Sequence, residues 1–185
     1  MNTSSNLSQD VANIIRNIPD FPKEGIQFKD ITPLLQNPEL LERVVNYFAE
    51  IYKEKEITAI VGVESRGFLF GVPLALKMGL PFVLTRKAGK LPAETISLTY
   101  ELEYGTATLE IHKDALAEND KVVVVDDLLA TGGTAGATVQ LVEKLGATVS
   151  GCAFVIELDF LNGASAIVSQ SKRNPEISID SLLHY

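Results

Sequence analysis

A run of four consecutive valines, Val122–Val125, constrains the fold of this chain more than any other stretch. The run is too short to span a membrane, and its β-branched side chains favour a strand over a helix. No polar residue alternates with the valines, so the run predicts a strand buried on both faces, as in a parallel sheet. The strand is expected to stop at two carboxylates, Asp126 and Asp127.

A helix follows this strand. From Thr134 onward apolar residues recur at helical spacing, and Gly146 is placed to cap the carboxyl end. Between the two elements lies the loop Leu128-Leu129-Ala130-Thr131-Gly132-Gly133-Thr134. Its glycines let main-chain N–H groups approach a ligand, and the helix start adds partial positive charge. With the hydroxyl groups of Thr131 and Thr134, the loop is predicted to bind one phosphate group.

Two well-known nucleotide-binding loops differ from this one. It lacks the Gly-Lys-Ser/Thr ending of a Walker A loop and the Gly-x-Gly-x-x-Gly spacing of a dinucleotide site. Taken singly, Asp126 and Asp127 would most often only end a strand, and the glycines would only turn the chain. Together, two acidic groups beside a phosphate loop favour a sugar phosphate whose vicinal hydroxyls need acceptors.

The whole stretch Lys121–Gly146 resembles the phosphoribosyl pyrophosphate signature of the type I phosphoribosyltransferases. In that family the paired acidic residues, here Asp126 and Asp127, hold the ribose hydroxyls. The loop after them holds the 5′-phosphate, which implies phosphate-binding roles for Ala130, Thr131, Gly132, Gly133 and Thr134. The family's enzymes for 6-oxopurines carry in this loop an Asp that contacts the base, and the matching position here is Ala130.

A second loop, Glu64-Ser65-Arg66-Gly67, also lies between a predicted strand and a predicted helix. A cation at a helix start suits a second phosphate group, although Arg66 as a solvated loop charge would be ordinary. The loop resembles the family's pyrophosphate loop, which often contains a non-proline cis peptide and commonly has Asp in place of Glu64. The resemblance implies that Ser65 and Arg66 bind the pyrophosphate and that Arg66 stabilises it as the leaving group.

A basic turn, Arg86-Lys87-Ala88-Gly89-Lys90-Leu91-Pro92, follows the next predicted strand. Its cations focus positive potential in an otherwise acidic chain, but on sequence alone a solvated loop is an equally good interpretation. In the family such cations, here Lys87 and Lys90, lie near the pyrophosphate and sometimes come from the partner subunit. A two-fold symmetric homodimer is therefore expected.

Alternating apolar residues from Thr95 to Glu103, and again from Ala107 to Ile111, predict a β-hairpin. The resemblance implies that this hairpin, about residues 94–111, is a mobile lid. Its tip, Leu-Glu-Tyr-Gly, would then carry the catalytic carboxylate on Glu103, next to Tyr104. Without the resemblance, Glu103 is a surface charge at a hairpin tip.

The amino-terminal segment, about residues 1–35, combines a short helix with a loop or short strands rich in proline and glycine. On physical grounds its large apolar side chains are expected in a core, namely Phe21, Ile26, Phe28 and Ile31. As a block, Ile18–Pro33 is similar to the hood that covers the purine in the adenine phosphoribosyltransferases. That similarity implies that Phe28 stacks on the base and that main-chain groups of Gln27 and Lys29 read its edge.

Composition bounds the remaining possibilities. The chain has 185 residues, 46% of them hydrophobic, and a net charge of −8, which supports one globular domain and argues against a nucleic-acid or membrane-surface protein. The N-terminus lacks a secretory signal and no apolar run approaches ~20 residues, so a cytoplasmic location is expected. The single Cys152 lies in an apolar run and is interpreted as a buried side chain.

No direct metal ligation by the protein is expected. His112 and His184 have no ligand-type partner at useful sequence spacing. Mg²⁺ is instead expected to arrive chelated by the substrate, bridging pyrophosphate and ribose oxygens, because it keeps waters and binds substrate phosphates more readily than protein cages.

The predicted fold is a single α/β domain over residues 1–185: an open, mostly parallel twisted sheet flanked by helices, with a hairpin lid and an amino-terminal hood. Besides the hairpin and the valine strand, the predicted strands are Ile57–Val63, Pro81–Thr85, Val149–Leu158 and a short last one, Ile177–Ile179.

The resemblance implies a purine salvage enzyme that converts adenine and phosphoribosyl pyrophosphate into AMP and pyrophosphate. Two alternatives stay open at this stage. One is a phosphoribosyltransferase for another base, which Ala130 and the hood disfavour. The other is a phosphoribosyl pyrophosphate-binding regulator without catalysis, which would usually need an output segment.

Overall fold

The computed structural model describes residues 3–101 and 105–185. The chain divides into two compact units, residues 1–48 and residues 49–185. Across the described ranges, every helix is too short or too polar to span a lipid bilayer.

The first unit carries two short strands among helices. Its elements are α1 (Thr3–Ile14), β1 (Arg16–Pro19), β2 (Gln27–Asp30), α2 (Thr32–Leu35) and most of α3 (Pro38–Tyr52). β1 and β2 pair antiparallel with Ile18 opposite Phe28, which confirms the prediction of short strands in this segment. Asn37 caps α3, because its Oδ1 accepts the N–H of Leu40 at 3.1 Å.

The second unit is built on one seven-stranded sheet with the order β5-β6-β4-β3-β7-β8-β9. Its elements are β3 (Ala59–Val63), α4 (Gly67–Met78), β4 (Phe82–Lys87), β5 (Thr95–Glu101), β6 (Thr106–His112), β7 (Lys121–Leu129), α5 (Gly133–Lys144), β8 (Thr148–Glu157), a 3-10 turn (Asp159–Leu161), α6 (Gly163–Gln170) and β9 (Ser178–His184). Strands β4, β3, β7, β8 and β9 run parallel, and the β5–β6 hairpin joins β4 antiparallel. The mostly parallel α/β sheet predicted from the sequence is confirmed.

Helices α4 and α5 cover opposite faces of this sheet. Val61 and Val63 of β3 share a buried cluster with Val139 of α5. Between those two valines, Gly62 faces α4, where an added Cβ would come within 3.0 Å of Phe68. The central strand is buried from both sides as predicted, because Val122–Val125 are at most 1% exposed.

Several element boundaries differ from the sequence predictions. β7 does not stop at the two carboxylates but continues through them to Leu129, because β8 goes on pairing with it as far as Glu157. β4 includes Arg86 and Lys87, which pair with β6 and were expected in a turn. The last strand is a full seven-residue edge strand, β9, and helix α6 was not predicted.

Candidate active site

A pocket of about 370 Å³ opens at the carboxyl ends of β3 and β7. It is lined by Glu64, Ser65, Arg66, Asp126, Asp127, Leu128, Leu129, Ala130, Thr131, Gly132, Gly133, Thr134 and Ala135. The two loops singled out in the sequence as phosphate-binding therefore meet around one cavity. In parallel sheets this edge is where ligands bind, because the loops after neighbouring strands converge there.

The loop at the start of α5 has the geometry of an anion site. Gly132, the residue before the helix, has a positive φ of 81°. The first main-chain N–H groups of α5 have no partner within the helix and carry partial positive charge towards the pocket. The hydroxyl groups of Thr131 and Thr134 line the same cavity. A phosphate group would find main-chain and hydroxyl donors on this side.

This loop is held by a segment that the sequence analysis did not single out. A Cβ on Gly132 would come within 2.5 Å of the carbonyl oxygen of Gly163, and a Cβ on Gly163 would come within 2.2 Å of the carbonyl oxygen of Ala130. The start of α6 thus packs directly on the phosphate loop, backbone against backbone. The only sequence signal for this was the glycine itself.

The two carboxylates differ in their surroundings. Asp127 is buried and its main-chain N–H donates to Oδ1 of Asp126 at 2.9 Å. Burial raises the pKa of the Asp126 carboxyl well above its ordinary value, and the neighbouring charge of Asp127 raises it further. Two negative charges on this pair therefore repel each other. A hydrogen bond from a ligand hydroxyl, or a nearby cation, would reduce that repulsion.

Arg66 supplies the opposite charge. Its Nε lies 2.8 Å from Oδ2 of Asp127. The approach depends on Gly67, because a Cβ there would come within 2.4 Å of the carbonyl oxygen of Val125 and within 3.1 Å of Asp126 Cα. The peptide bond Glu64–Ser65 in the same loop is cis, which agrees with the expectation from the family resemblance.

The cations of the predicted basic turn are paired with a carboxylate of the neighbouring loop. Lys90 Nζ lies 2.9 Å and Arg86 lies 3.2 Å from Oε1 of Glu64, and the Lys87 N–H donates to Oε2 at 2.9 Å. Burial alone would raise the pKa of Glu64, but hydrogen bonds from Lys90, Lys87 and Arg86 outweigh it and lower the pKa to about 2. Lys87 and Lys90 are not among the residues that line the pocket.

The predicted base-binding residues lie on β2 of the first unit. Phe28 is half-buried and packs edge-on against Phe21, with ring centroids 5.1 Å apart. Of the apolar side chains expected in a core, Ile31 is buried, whereas Phe21 is 51% and Ile26 43% exposed. For these two the core expectation was wrong, because the chain places them on the loop between β1 and β2.

The predicted lid is the β5–β6 hairpin at the edge of the sheet, with Leu98 opposite Leu109. Glu103 and Tyr104, assigned to its tip, lie outside the described residues. One contact of the hairpin was missed by sequence reasoning: the Tyr100 hydroxyl lies 3.0 Å from Oγ1 of Thr134. In the sequence Tyr100 gave only the signal of an inward-facing strand residue.

One group of metal-ligand type side chains lies elsewhere. Glu157, Asp159 and His184 place one ligand-type atom each within 4.8 Å of one another. Sequence spacing shows no partner for His184, because the pairing of β8 with β9 is what brings these residues together. His184 Nδ1 lies 2.9 Å from Asp159 Oδ1, and Ser181 donates to Glu157 at 2.6 Å, so the group is internally hydrogen-bonded.

Comparison with known proteins agrees with this arrangement. Residues 30–176 match the family described as phosphoribosyl transferase domain. An adenine phosphoribosyltransferase of Synechococcus sp. is 54% identical over 176 residues, which cover 95% of this chain and 99% of that protein.

Two solved structures are similar over nearly their whole lengths. The adenine phosphoribosyltransferase of Thermoanaerobacter pseudethanolicus matches with a TM-score of 0.89 and 48% identity, covering 96% of this chain and 99% of that one. The enzyme of Saccharomyces cerevisiae, solved with D-2,5-dideoxy-2,5-imino-altritol 1,6-bisphosphate and adenine, matches with a TM-score of 0.88 and 43% identity, covering 97% and 99%.

The family match covers strands β3 to β8 and both pocket loops, so the chain belongs to the phosphoribosyltransferase family. The high sequence identity of the relatives, over nearly the whole length of this chain, identifies its group within the family. Within that family it belongs to the adenine phosphoribosyltransferases.

Proposed function

We propose that this chain transfers the 5-phosphoribosyl group from phosphoribosyl pyrophosphate to adenine, giving AMP and pyrophosphate in purine salvage. The observation that supports the proposal is one pocket lined by the acidic pair Asp126 and Asp127, by Arg66 and by the helix start after the glycine loop. Those three chemistries match the three parts of the donor substrate: ribose hydroxyls, 5′-phosphate and pyrophosphate.

Each part of the donor has a proposed set of partners. Asp126 and Asp127 accept hydrogen bonds from the ribose hydroxyls. Ser65 and Arg66 hold the pyrophosphate, with Lys87 at the end of β4 and Lys90 in the turn after it also assigned to it. The 5′-phosphate is proposed to lie on the helix start, held by Ala130, Thr131, Gly132, Gly133 and Thr134.

Mg²⁺ is proposed to enter with the donor rather than on a protein cage. The acidic pair fits this role, because ribose hydroxyls held by Asp126 and Asp127 keep oxygen atoms available to a hard cation. When bound, the ion neutralises charge that builds up on the departing pyrophosphate.

In the proposed reaction a ring nitrogen of adenine forms a bond to the anomeric carbon while the bond from that carbon to the pyrophosphate oxygen breaks. The electron pair leaves with the pyrophosphate, and the Arg66 guanidinium stabilises it there. The acidic pair favours positive charge on the ribose. The phosphate loop offers no base, since Ala130 has no ionisable group, so the purine proton is assigned to Glu103.

The adenine edge is proposed to be read by main-chain groups of β2. In a strand, residues two apart present their N–H and C=O groups to the same side, so Gln27 and Lys29 share one edge while Phe28 offers its ring. On that edge the Gln27 carbonyl is proposed to accept the exocyclic amine of adenine, and the Lys29 N–H to donate to the adjacent ring nitrogen.

A homodimer is the proposed assembly. Helix α4 is apolar on its outer side as well, where Leu69, Val72 and Leu76 form one stripe and are 43%, 40% and 78% exposed. Leu84, 37% exposed, lies on the same face of β4 as Phe82, which contacts α4. A second copy of this surface would bury the stripe symmetrically. Leu76→Glu should then convert a dimer into a monomer in sedimentation, and a monomeric parent protein would contradict the proposal.

The reaction is tested by following AMP from adenine and phosphoribosyl pyrophosphate, with and without Mg²⁺. AMP formation that requires both substrates and falls sharply on chelation of the metal is expected. Binding of phosphoribosyl pyrophosphate without turnover of adenine would favour a regulator, and turnover of guanine, xanthine or orotate instead would favour another base.

A further inference from the structure

Tyr100 and Thr134 join the edge hairpin to the phosphate loop. Their hydroxyl oxygens lie 3.0 Å apart. The Tyr100 ring also packs beside the loop, because a Cβ on Gly133 would meet its ring atoms at 3.6 and 3.7 Å, which is ordinary van der Waals contact. Thr134 itself lines the pocket. A residue of β5 therefore reaches the wall of the cavity through one hydroxyl group.

The position of Tyr100 is set by the core. Ile96, Leu98 and Tyr100 are the inward-facing residues of β5, and all three pack against the buried cluster that includes Leu109 and Ile111 of β6. The neighbouring Thr99 points to the other side and pairs with Thr108 at 2.8 Å. Packing of the Tyr100 ring against this cluster therefore holds its hydroxyl next to Thr134.

We infer that Tyr100 is a positioning residue that orients the Thr134 hydroxyl towards the 5′-phosphate of the substrate, an inference that rests on the proposed function. A phosphate dianion can only accept hydrogen bonds, and Thr134 has one hydroxyl proton to give. When Tyr100 donates to Oγ1 of Thr134, that proton is left for the phosphate. The two bonds in series also polarise each other, which strengthens the one to the anion.

The test compares two ligands that occupy different parts of the pocket. Tyr100→Phe keeps the ring and the core packing and removes only the hydroxyl. By calorimetry we expect its dissociation constant for ribose 5-phosphate to rise by about five- to tenfold, the size of one lost hydrogen bond, while that for pyrophosphate stays within about twofold of the parent. In steady state the KM for phosphoribosyl pyrophosphate should rise with little change in kcat.

A double-mutant cycle tests whether Tyr100 acts on the phosphate through Thr134. Thr134→Val should weaken ribose 5-phosphate binding, and adding Tyr100→Phe to it should weaken binding no further, because the oriented hydroxyl is already gone. Thr99→Val is the matched control, since it removes a hydroxyl–hydroxyl bond from the same strand on its other face. It should bind ribose 5-phosphate like the parent.

Four results would overturn the inference. Unchanged ribose 5-phosphate binding in Tyr100→Phe would show that the hydroxyl is not used. An equal loss for ribose 5-phosphate and pyrophosphate would show general damage to the pocket, and additive losses in the cycle would show that Tyr100 does not act through Thr134. If the parent protein bound no ribose 5-phosphate, the proposed function would fail as well, whereas the first three results leave that function standing.

Discussion

Arg66 and Asp127 form an ion pair in which Nε lies 2.8 Å from Oδ2, with the Asp127 side chain 4% and the Arg66 side chain 48% exposed. The cation proposed for the pyrophosphate is therefore also the counter-charge of a carboxylate proposed for the ribose. Removing one member changes the other, so stability and binding are coupled at this position.

Arg66→Ala should lower the free energy of unfolding by roughly 1–3 kcal/mol, because it leaves the Asp127 charge buried and unpaired beside Asp126. The loss is smaller than for a fully buried pair, since Arg66 is half exposed and solvent screens it. Urea unfolding at pH 7 measures it. Adding Asp127→Asn to this variant should restore most of the stability, and a single variant as stable as the parent would contradict the pairing.

Asp126→Asn should stabilise the protein at neutral pH while weakening its ligand binding. A carboxyl whose folded pKa is raised favours folding at low pH, and that benefit is lost as the pH rises through the raised pKa. Asparagine removes the free-energy cost of a charged carboxylate at this position, and its side-chain oxygen can still accept the hydrogen bond from the Asp127 N–H. Binding of phosphoribosyl pyrophosphate should weaken by about 1.5–3 kcal/mol, the size of a charged hydrogen bond. Thermal unfolding and calorimetry on one preparation test both signs together.

Glu64→Gln should remove an acid-sensitive part of the stability. The pKa of Glu64 is lowered from 4.5 to about 2, so its carboxylate stabilises the fold above about pH 4.5, and this contribution is lost as the pH falls towards 2. We expect a difference on the order of 1–2 kcal/mol from the parent at pH 7, after allowing for solvent screening. Denaturant unfolding between pH 7 and pH 3 should show the two proteins converging, and parallel curves would refute the assignment.

Glu103→Gln should lower turnover by roughly 10²–10⁴ while changing substrate binding much less, if Glu103 handles the purine proton as proposed. Glu103 is assigned this role because Ala130 stands where the family's 6-oxopurine enzymes have an Asp that contacts the base. Single-turnover measurements isolate the chemical step. A rate within a few-fold of the parent would remove Glu103 from that role.

Adenine should be strongly preferred over hypoxanthine. If the Gln27 carbonyl accepts the exocyclic amine and the Lys29 N–H donates to the adjacent ring nitrogen, hypoxanthine mismatches both bonds at about 1–3 kcal/mol each. Stacking on Phe28 accepts any purine, so it does not discriminate. The ratio of kcat/KM for the two bases should be large, up to ~10⁴. A ratio below about tenfold would mean that β2 does not read the base edge.

The sequence was sufficient for the fold and for the two pocket loops because their signals are local. The run Val122–Val125 favours a buried strand, and a glycine-rich loop before a helix leaves main-chain N–H groups that can bind an anion. The cis peptide at Glu64–Ser65 was expected only from the family resemblance. Local patterning and resemblance thus agreed at the centre of the site.

What the sequence did not give were contacts between distant segments. The pairing of Lys90 and Arg86 with Glu64 depends on β4 running on beside β3, which composition does not encode. The Tyr100–Thr134 bond and the packing of Gly163 likewise join residues more than thirty positions apart. The prediction that Phe21 and Ile26 enter a core failed because burial depends on tertiary neighbours and not on side-chain type.

Gly163 occupies the space that a side chain on Gly132 would need, and the carbonyl oxygen of Ala130 occupies the space that a side chain on Gly163 would need. An alanine at either glycine would therefore force the start of α6 and the phosphate loop apart, and would move the donors proposed for the 5′-phosphate. A change in a neighbouring side chain cannot relieve this clash, because the added Cβ meets a main-chain carbonyl oxygen. A larger residue at either glycine would be tolerated only if the start of α6 first moved away from the phosphate loop.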